Sequence, residues 1–321
     1  MDKILITGIG GNVGYGILRN CRTYFPNIKI IGTNTKRISA GNHLCNEVYE
    51  VPFSLDPDYI QTIKKICDIN NISLIIPSTD YESWILTSNS QNLPPIAASP
   101  ANTCKIFLDK YLTYSTLNEH GILFAESILP SNYKNEFQQF IVKPREGRGS
   151  RGLYINPQFP KQFSDENIIQ PLLSGKEITT AFYITKNNNI HGLITLERQL
   201  ADGATNICEV VTTYDEKIFE YISFLIQKIN IKGSCNIQSI VNEKGFIPFE
   251  INCRISGTNS IRSQFGFKDV AYTINEYLYN MPLEEVKILK GTAIRILHDI
   301  IYPNITMDKV NNNLDNFYIY E

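Results

Sequence analysis

The sequence predicts an α/β domain followed by an α+β module. Three observations predict it. A short apolar strand, a glycine-rich turn and a helical repeat open the chain, and strands alternate with helices from there to about Ala98. Strand-like runs then recur over 140–144, 167–171, 175–180 and 193–198. Last, an amphipathic helix leads into a hairpin over 233–259 whose polar residues fall at two-residue spacing.

At 321 residues the chain is long enough for two or three domains. Thirty basic and 32 acidic residues leave a net charge of −2, which gives no electrostatic case for nucleic acid or an anionic membrane. Seven cysteines stand singly, without a CxxC pair, as suits reduced thiols; four dispersed histidines argue against a zinc site. The N-terminus turns glycine-rich too early for a signal peptide, and no apolar run approaches the ~18 residues of a membrane span. A soluble cytoplasmic protein is expected.

Lys3 to Thr7 reads as the first strand. Gly8-Ile9-Gly10-Gly11-Asn12-Val13-Gly14-Tyr15-Gly16 follows, and Val13, Ile17, Leu18 and Cys21 recur at helical spacing. Strand, glycine turn and helix open a doubly wound domain. A nicotinamide-dependent oxidoreductase is one reading, but the second strand ends in Thr33-Asn34, where a dinucleotide domain places an acid. Asp56-Pro57 predicts a helix start with Asp as N-cap, and Tyr59, Ile60, Ile63, Ile66 and Cys67 give its buried stripe. Strands over 73–77 and 94–98 complete a parallel sheet of four or five. Asp80 and Glu82 follow the former and either line a crevice at the strand ends or cap the next helix.

Asp109 predicts the N-cap of a helix running to His120, and Gly121 its stop. The run from Phe140 to Gly152 delivers Lys143 directly before a loop with three glycines and three arginines. Backbone N–H groups in such a loop can wrap phosphate oxygens while the lysine neutralises them; a hairpin turn with solvated arginines is the plainer alternative. Ala201-Asp202-Gly203 is a turn signal, 214–230 an amphipathic helix, 269–280 a further helix and 291–297 a strand bearing Arg295. The tail from Pro303 is rich in Asn and is expected to pack loosely.

In the hairpin, Glu250, Asn252 and Arg254 project on one face of a strand, and Asn236 and Gln238 on one face of the strand before it. A three-residue loop, Glu243-Lys244-Gly245, pairs Asn242 with Phe246 and so sets Gln238 opposite Glu250 and Asn236 opposite Asn252. A loop pairing Val241 with Phe246 would turn Gln238 to the other face. The three-residue loop makes a cluster of oxygen and nitrogen donors suited to a hard cation such as Mg²⁺; a merely solvated face is the alternative.

Lysine plus glycine loop, then Gly-x-Glu after a short strand, then the Gln…Glu-x-Asn hairpin: this order resembles the ATP-grasp superfamily. The chain is most similar to the branch of the carbamoyl-phosphate synthetase large chain, biotin carboxylase and D-alanine–D-alanine ligase. The resemblance implies a Rossmann-like domain over 1–98, an ATP-grasp small lobe with a glycine-rich lid over 99–173, and a large lobe with the metal and catalytic residues over 174–321. It implies that Lys110 and Lys143 contact ATP phosphates, that the loop containing Gly147, Gly149, Ser150 and Gly152 closes over them, that Gln170 and Leu172 line the adenine, and that Glu177 accepts the ribose hydroxyls. Gln238, Glu250 and Asn252 would hold Mg²⁺ (Mn²⁺ as a substitute), and Arg254, with Lys143, would serve catalysis. Gln170 stands where relatives carry an acid, and Gln238 where some branches use Asp or Glu, which weakens one metal position.

The implied activity is an ADP-forming carboxylate–amine ligase acting on small molecules, with an amino acid as the expected carboxylate. Arg198, Arg262, Arg295 and Asp80 are further substrate candidates. Dimers are common among proteins resembling this one. A non-catalytic ATP-binding protein is the third reading, against which the retained Lys143, Glu250, Asn252 and Arg254 speak.

Overall fold

The computed structural model describes residues 2–147, 151–243, 245–310 and 317–320. Its first sheet is parallel and four-stranded: β1 (Lys3–Ile6), β2 (Lys29–Asn34), β3 (Glu47–Glu50) and β4 (Leu74–Ile76), in the order β3-β2-β1-β4. A parallel bridge between Ile75 and Ile96 adds a fragment at the β4 edge. Strand alternation sends Ile4 and Ile6 to one face and Leu5 to the other, and both faces are covered. Helix α1 (Asn12–Tyr24) packs Ile17, Leu18 and Cys21 on the first face. Helices α2 (Tyr59–Asn70) and α3 (Asp80–Ser88) bring Tyr59, Ile63 and Leu86 to the second. The predicted start of α2 is corrected: the helix begins at Tyr59, and Asp56 instead accepts from the Asp58 backbone N–H at 3.0 Å, forming a turn before it.

Two helices, α4 (Ala101–Leu108) and α5 (Lys110–Glu119), connect to an antiparallel sheet of β5 (Phe140–Pro144), β6 (Tyr154–Ile155) and β7 (Asn167–Pro171), ordered β6-β5-β7. Asp109 caps α5 as predicted, accepting from the N–H groups of Tyr111 and Leu112 at 2.9 and 3.1 Å.

The largest sheet is antiparallel and six-stranded: β8 (Lys176–Ile184), β9 (Ile190–Ala201), β10 (Ala204–Val210), β11 (Gly233–Asn242), β12 (Gly245–Asn252) and β13 (Thr292–Ile294), ordered β12-β11-β8-β9-β10-β13. Asp202 and Gly203 make the β9–β10 turn with φ of 50° and 74°. Helix α6 (Asp215–Lys228) lays Ile218, Ile222 and Leu225 over the sheet face carrying Cys235, Ile237, Ile251 and Cys253. The short helices α7 (Asn259–Arg262) and α8 (Asp269–Ile274) return the chain to the N-terminal domain, where Val270 and Ile274 join the core around α1. A π-turn over Asn275–Tyr279 continues α8 to the predicted end. A small ladder of β14 (Asp299–Ile301) and β15 (Tyr318–Tyr320) closes the described chain.

The hairpin between β11 and β12 corrects the predicted loop. Asn242 pairs with Gly245 and Val241 with Phe246, so two residues link the strands. Continued unbroken, that register would turn Gln238 away from Glu250. It is not continued: Ser239 pairs with Pro248 and Gln238 with Glu250, leaving Phe249 as a bulge. Pro248 has no N–H to give the ladder, and β12 is the edge strand, where proline and bulges belong. The bulge restores the one-residue offset that the shorter turn removed. Gln238 faces Glu250 and Asn236 faces Asn252 after all.

Candidate active site

The ends of the parallel strands, the three-stranded sheet and the six-stranded sheet open on one cleft of about 850 Å³. Ligands gather at strand ends because the chain there leaves its ladder and exposes free backbone groups. The wall from the large sheet carries Glu177, Arg198, Asn236, Gln238, Glu250, Asn252 and Arg254; Lys110, Lys143, Gln170 and Leu172 face it from the smaller unit.

Glu250 is the centre of this wall. Asn252 Nδ2 donates to Glu250 Oε1 at 3.1 Å, which leaves Asn252 Oδ1 and Glu250 Oε2 able to accept further bonds. Burial pushes the Glu250 carboxyl up, but Lys110, Lys143, the Asn252 amide and Arg254 outweigh it and hold the group below its ordinary range. Glu250 is therefore ionised at neutral pH. Across the cleft, burial together with Lys110 pulls the Lys143 ammonium down to about 8, against the opposing pull of Glu250 and Glu177. Among the described residues Lys143 makes no hydrogen bond or ion pair; its Nζ sits 5.2 Å from the centre of the Phe249 ring, the bulge residue. Lys110 Nζ donates more loosely, to the carbonyls of Arg145 and Gly147 at 3.4 and 3.5 Å.

The strand that delivers Lys143 is firmly rooted. Arg145 forks onto Asp109, with Nη2–Oδ2 at 2.5 Å and Nε within 3.1 Å of both oxygens, and Lys105 pairs with Glu146 at 2.9 Å. Gly147 lines the cleft, whereas Gly149 and Ser150 lie outside the described residues. Gly152 is described, with φ +68°, but it sits against Pro144 and does not line the cleft.

Gln170 and Leu172 lie on the cleft wall. Gln170 is almost wholly buried, and its Nε2 donates to Ser127 Oγ at 2.8 Å. Arg254 donates through Nε and Nη2 to Asp80 Oδ2 at 3.0 and 2.8 Å, so the N-terminal domain orients the arginine beside Asn252. Asp80 and Glu82 both line the crevice; Thr79 Oγ1 caps the helix by accepting from the Glu82 N–H (3.2 Å), and the Glu82 carboxylate accepts from Thr79 Oγ1 at 2.8 Å and from Tyr59 at 3.3 Å. Arg295 also lines the cleft and donates to the Gly257 carbonyl at 2.8 Å.

One substrate candidate is corrected. Arg262 is fully buried and outside the cleft: it pairs with Asp269 and donates to Ser256 Oγ and Thr258 Oγ1 at 2.6 and 2.8 Å. Each of its three nitrogens is engaged with the fold. Arg198 does line the cleft, with its guanidinium held by Glu177 and Gln238.

Of the N-terminal glycines, Gly8 and Gly11 line the cleft, whereas Gly14 and Gly16 are spent on packing. A Cβ on Gly14 would lie 2.4 Å from the Gly8 carbonyl oxygen, and one on Gly16 would lie 2.3 Å from Asn259 Oδ1. Asn259 also takes a bond from Asn20 Nδ2 (3.1 Å) and donates to the Val13 carbonyl (3.1 Å), which locks the loop after Arg254 onto α1. Asn259 was not singled out from the sequence. Only its partner glycine at position 16, small for no local reason, carried a signal.

Two lysines, one of them unpaired, opposite an ionised carboxylate with a carboxamide and an arginine beside it make a phosphoryl-transfer type of site, suited to a polyphosphate. The described residues hold no group of three His, Cys, Asp or Glu side chains that could grip a metal alone. Glu250 and Asn252 do fit a hard cation that brings phosphate oxygens as its other ligands.

Comparison with known proteins agrees. The family model for the ATP-grasp domain matches residues 107–258, and that for the PylC-like N-terminal domain matches residues 4–96. The chain belongs to the ATP-grasp superfamily and carries its ligase fold. It is similar to N5-carboxyaminoimidazole synthetase from Staphylococcus aureus complexed with ADP, at 15% identity and a TM-score of 0.77, over 92% of this chain and 82% of that one. A second similar structure is the biotin carboxylase domain dimer of Hydrogenobacter thermophilus 2-oxoglutarate carboxylase with MgADP, ADP and bicarbonate: 12% identity, TM-score 0.73, 99% and 85% covered. A third is the βγ-ATP complex of Campylobacter jejuni biotin carboxylase: 14% identity, TM-score 0.70, 91% and 74% covered. Identities this low establish a shared fold. No curated protein matches the chain by sequence. ATP and Mg²⁺ are the cofactors of ATP-grasp enzymes, and the cleft described here offers both a place.

Proposed function

We propose that the chain is an ADP-forming carboxylate–amine ligase of the cytoplasm, with an amino acid as the carboxylate it activates. The observation that carries the proposal is the unpaired, buried Lys143 facing ionised Glu250 across the cleft. A buried ammonium with no partner costs stability unless an anion from outside completes it. A triphosphate does so.

In the proposed reaction a carboxylate oxygen attacks the γ-phosphorus, the bond to ADP breaks, and an acyl phosphate forms. The amine nitrogen then attacks the acyl carbon, phosphate leaves and the amine proton passes to solvent or phosphate. Both steps bring anions together, so neutralisation governs the rate. Lys110 and Lys143 bind the phosphates. Glu250 and Asn252 would hold Mg²⁺, which would supply further charge neutralisation, and Gln238 stands opposite Glu250 on the neighbouring strand. Arg254, oriented by Asp80, stabilises the acyl group, and Arg295 lies near enough to receive a second carboxylate. Glu177 takes the ribose, and Gln170 and Leu172 the adenine. Residues 1–98, 99–173 and 174–321 form the Rossmann-like domain, small lobe and large lobe of this enzyme.

A screen of amino acids and amines for ATP-dependent phosphate release tests the reading. Lys143→Ala should lose at least ~10²-fold in the rate of release with its circular dichroism unchanged, and unchanged turnover would sink the assignment. A homodimer is part of the proposal, and sedimentation velocity giving a monomer at working concentration would remove that part.

A further inference from the structure

We infer that this chain binds one divalent cation with its nucleotide, and that Arg198 supplies the second positive charge that a two-cation site would take from another ion. The inference rests on the nucleotide site proposed above.

Arg198 stands on β9, one residue beyond the Ile178–Glu197 pair and so across from Glu177 on β8. Gln238, on β11, pairs with Thr179, two residues along β8 from Glu177. One guanidinium can therefore reach both neighbours, and it does. Arg198 Nε donates to Glu177 Oε1 at 3.0 Å, Nη2 donates to Glu177 Oε1 and to Gln238 Oε1, and Nη1 lies 3.5 Å from Thr205 Oγ1. Its side chain is only 12% exposed. This cation is built into the wall.

The consequence lies in what remains for a metal. A glutamine can ligate a hard cation only through its carbonyl oxygen, because the amide nitrogen offers no lone pair. That oxygen is already directed at a guanidinium. A dication on the same atom would sit against a fixed positive charge, in a cleft where like charges are poorly screened. Glu177 is neutralised by the same arginine. Glu250 differs: its hydrogen-bond partner is the neutral Asn252 amide, and one of its oxygens is left over. Of the two carboxylates flanking Gln238, Glu177 carries a paired cation, Arg198, and Glu250 carries none among the described residues. A hard cation needs at least one such carboxylate besides the phosphates it shares. The Glu250–Asn252 position meets that requirement. The Gln238 position does not.

The test is a Mn²⁺ titration of the whole protein in saturating non-hydrolysable ATP analogue, with free Mn²⁺ read by electron paramagnetic resonance. One bound Mn²⁺ per chain is expected. Two would overturn the inference while leaving the ligase reading intact. Failure of the wild-type protein to bind the analogue at all would remove the nucleotide site and this inference together. Arg198→Met should weaken analogue binding at saturating Mn²⁺ by tenfold or more in calorimetry, with Arg198→Lys in between; unchanged affinity in Arg198→Met would refute the role. The double variant Arg198→Met/Gln238→Glu, which trades the guanidinium for a carboxylate, should bind a second Mn²⁺; a count that stays at one would show that Arg198 is not what keeps the second cation out. Circular dichroism and a thermal melt establish that each variant is folded, and if one is not, the wild-type count decides.

Discussion

Arg254 and Arg262 lie eight residues apart and each pairs with an aspartate, yet they do opposite work. Arg262 and Asp269 are both fully buried, and Ser234, Ser256 and Thr258 complete their hydrogen bonds. Arg254 and Asp80 keep 13% and 19% of their side chains exposed, and both open on the cleft. A fully satisfied buried arginine has nothing left to offer a ligand. An arginine held by one carboxylate at a cleft wall is positioned and still available. Satisfaction of donors, more than the presence of a charge, separates a structural arginine from a functional one.

The comparison can be broken at several points, and the largest effect is expected at the buried pair. Arg262→Ala removes the ion-pair partner of buried Asp269 and leaves it only the Ser234 hydroxyl, which should cost about 3–5 kcal/mol of stability. Urea denaturation measures it; a loss below about 1 kcal/mol would mean that the pair is dispensable to the fold. Arg254→Ala should leave the urea midpoint nearly unchanged and reduce ATP-dependent phosphate release by ~10²–10³-fold. If the two variants exchanged these behaviours, the division of labour drawn here would be wrong. Glu250→Gln comes next: loss of the ionised ligand should raise the Mg²⁺ concentration for half-maximal activity by tenfold or more, and wild-type metal dependence would remove Glu250 from the site.

A smaller effect sharpens the contrast between arginine and lysine. Arginines stay charged throughout the working range, whereas Lys143 loses its proton above about pH 8. KM for ATP should therefore climb as pH rises past 8, and Lys143→Arg should abolish that limb even if it lowers the rate. The stability linkage has a defined sign. With the folded value below the unfolded one, charging buried Lys143 costs the fold most below pH 8, and that cost is relieved as pH rises from about 8 toward the free-lysine value. Nucleotide binding should accordingly take up protons near pH 8–9, measurable as a buffer-dependent heat. The smallest effect is expected at Asp80→Asn, which keeps Arg254 but loosens its hold and should cost about tenfold in turnover.

The hairpin shows how a sequence reading can reach the right face by the wrong route. The alternation in Glu250-Ile251-Asn252 was legible because period-two patterning is local, whereas Arg254, expected on the same strand, lies two residues beyond its end. The loop was not legible. Glu243-Lys244-Gly245 fits more than one turn, and the bulge at Phe249 that corrects the offset arises from Pro248 on an edge strand. Edge position is a property of the whole sheet order. The strand–glycine–helix opening was legible for the same local reason, but the part each glycine plays was not: Gly16 packs on Asn259, over two hundred residues away in sequence, while Gly8 and Gly11 line the cleft. Arg262 failed as a substrate candidate on similar grounds, since nothing in the sequence marks Asp269 as its buried partner, just as nothing marks Gln238 as an acceptor for Arg198 across the sheet.

By itself, then, the sequence determined the elements, their order and the chemical types that could meet: Lys143 at the end of a strand, Glu250 and Asn252 on one face, Asp109 at a helix start. Those follow from short-range sterics, hydrogen bonding and periodicity, which act within a few residues. Only the tertiary structure decided which charges remain available. Whether an arginine is spent or offered depends on what a distant strand or helix brings against it, and that is settled by packing across the whole molecule.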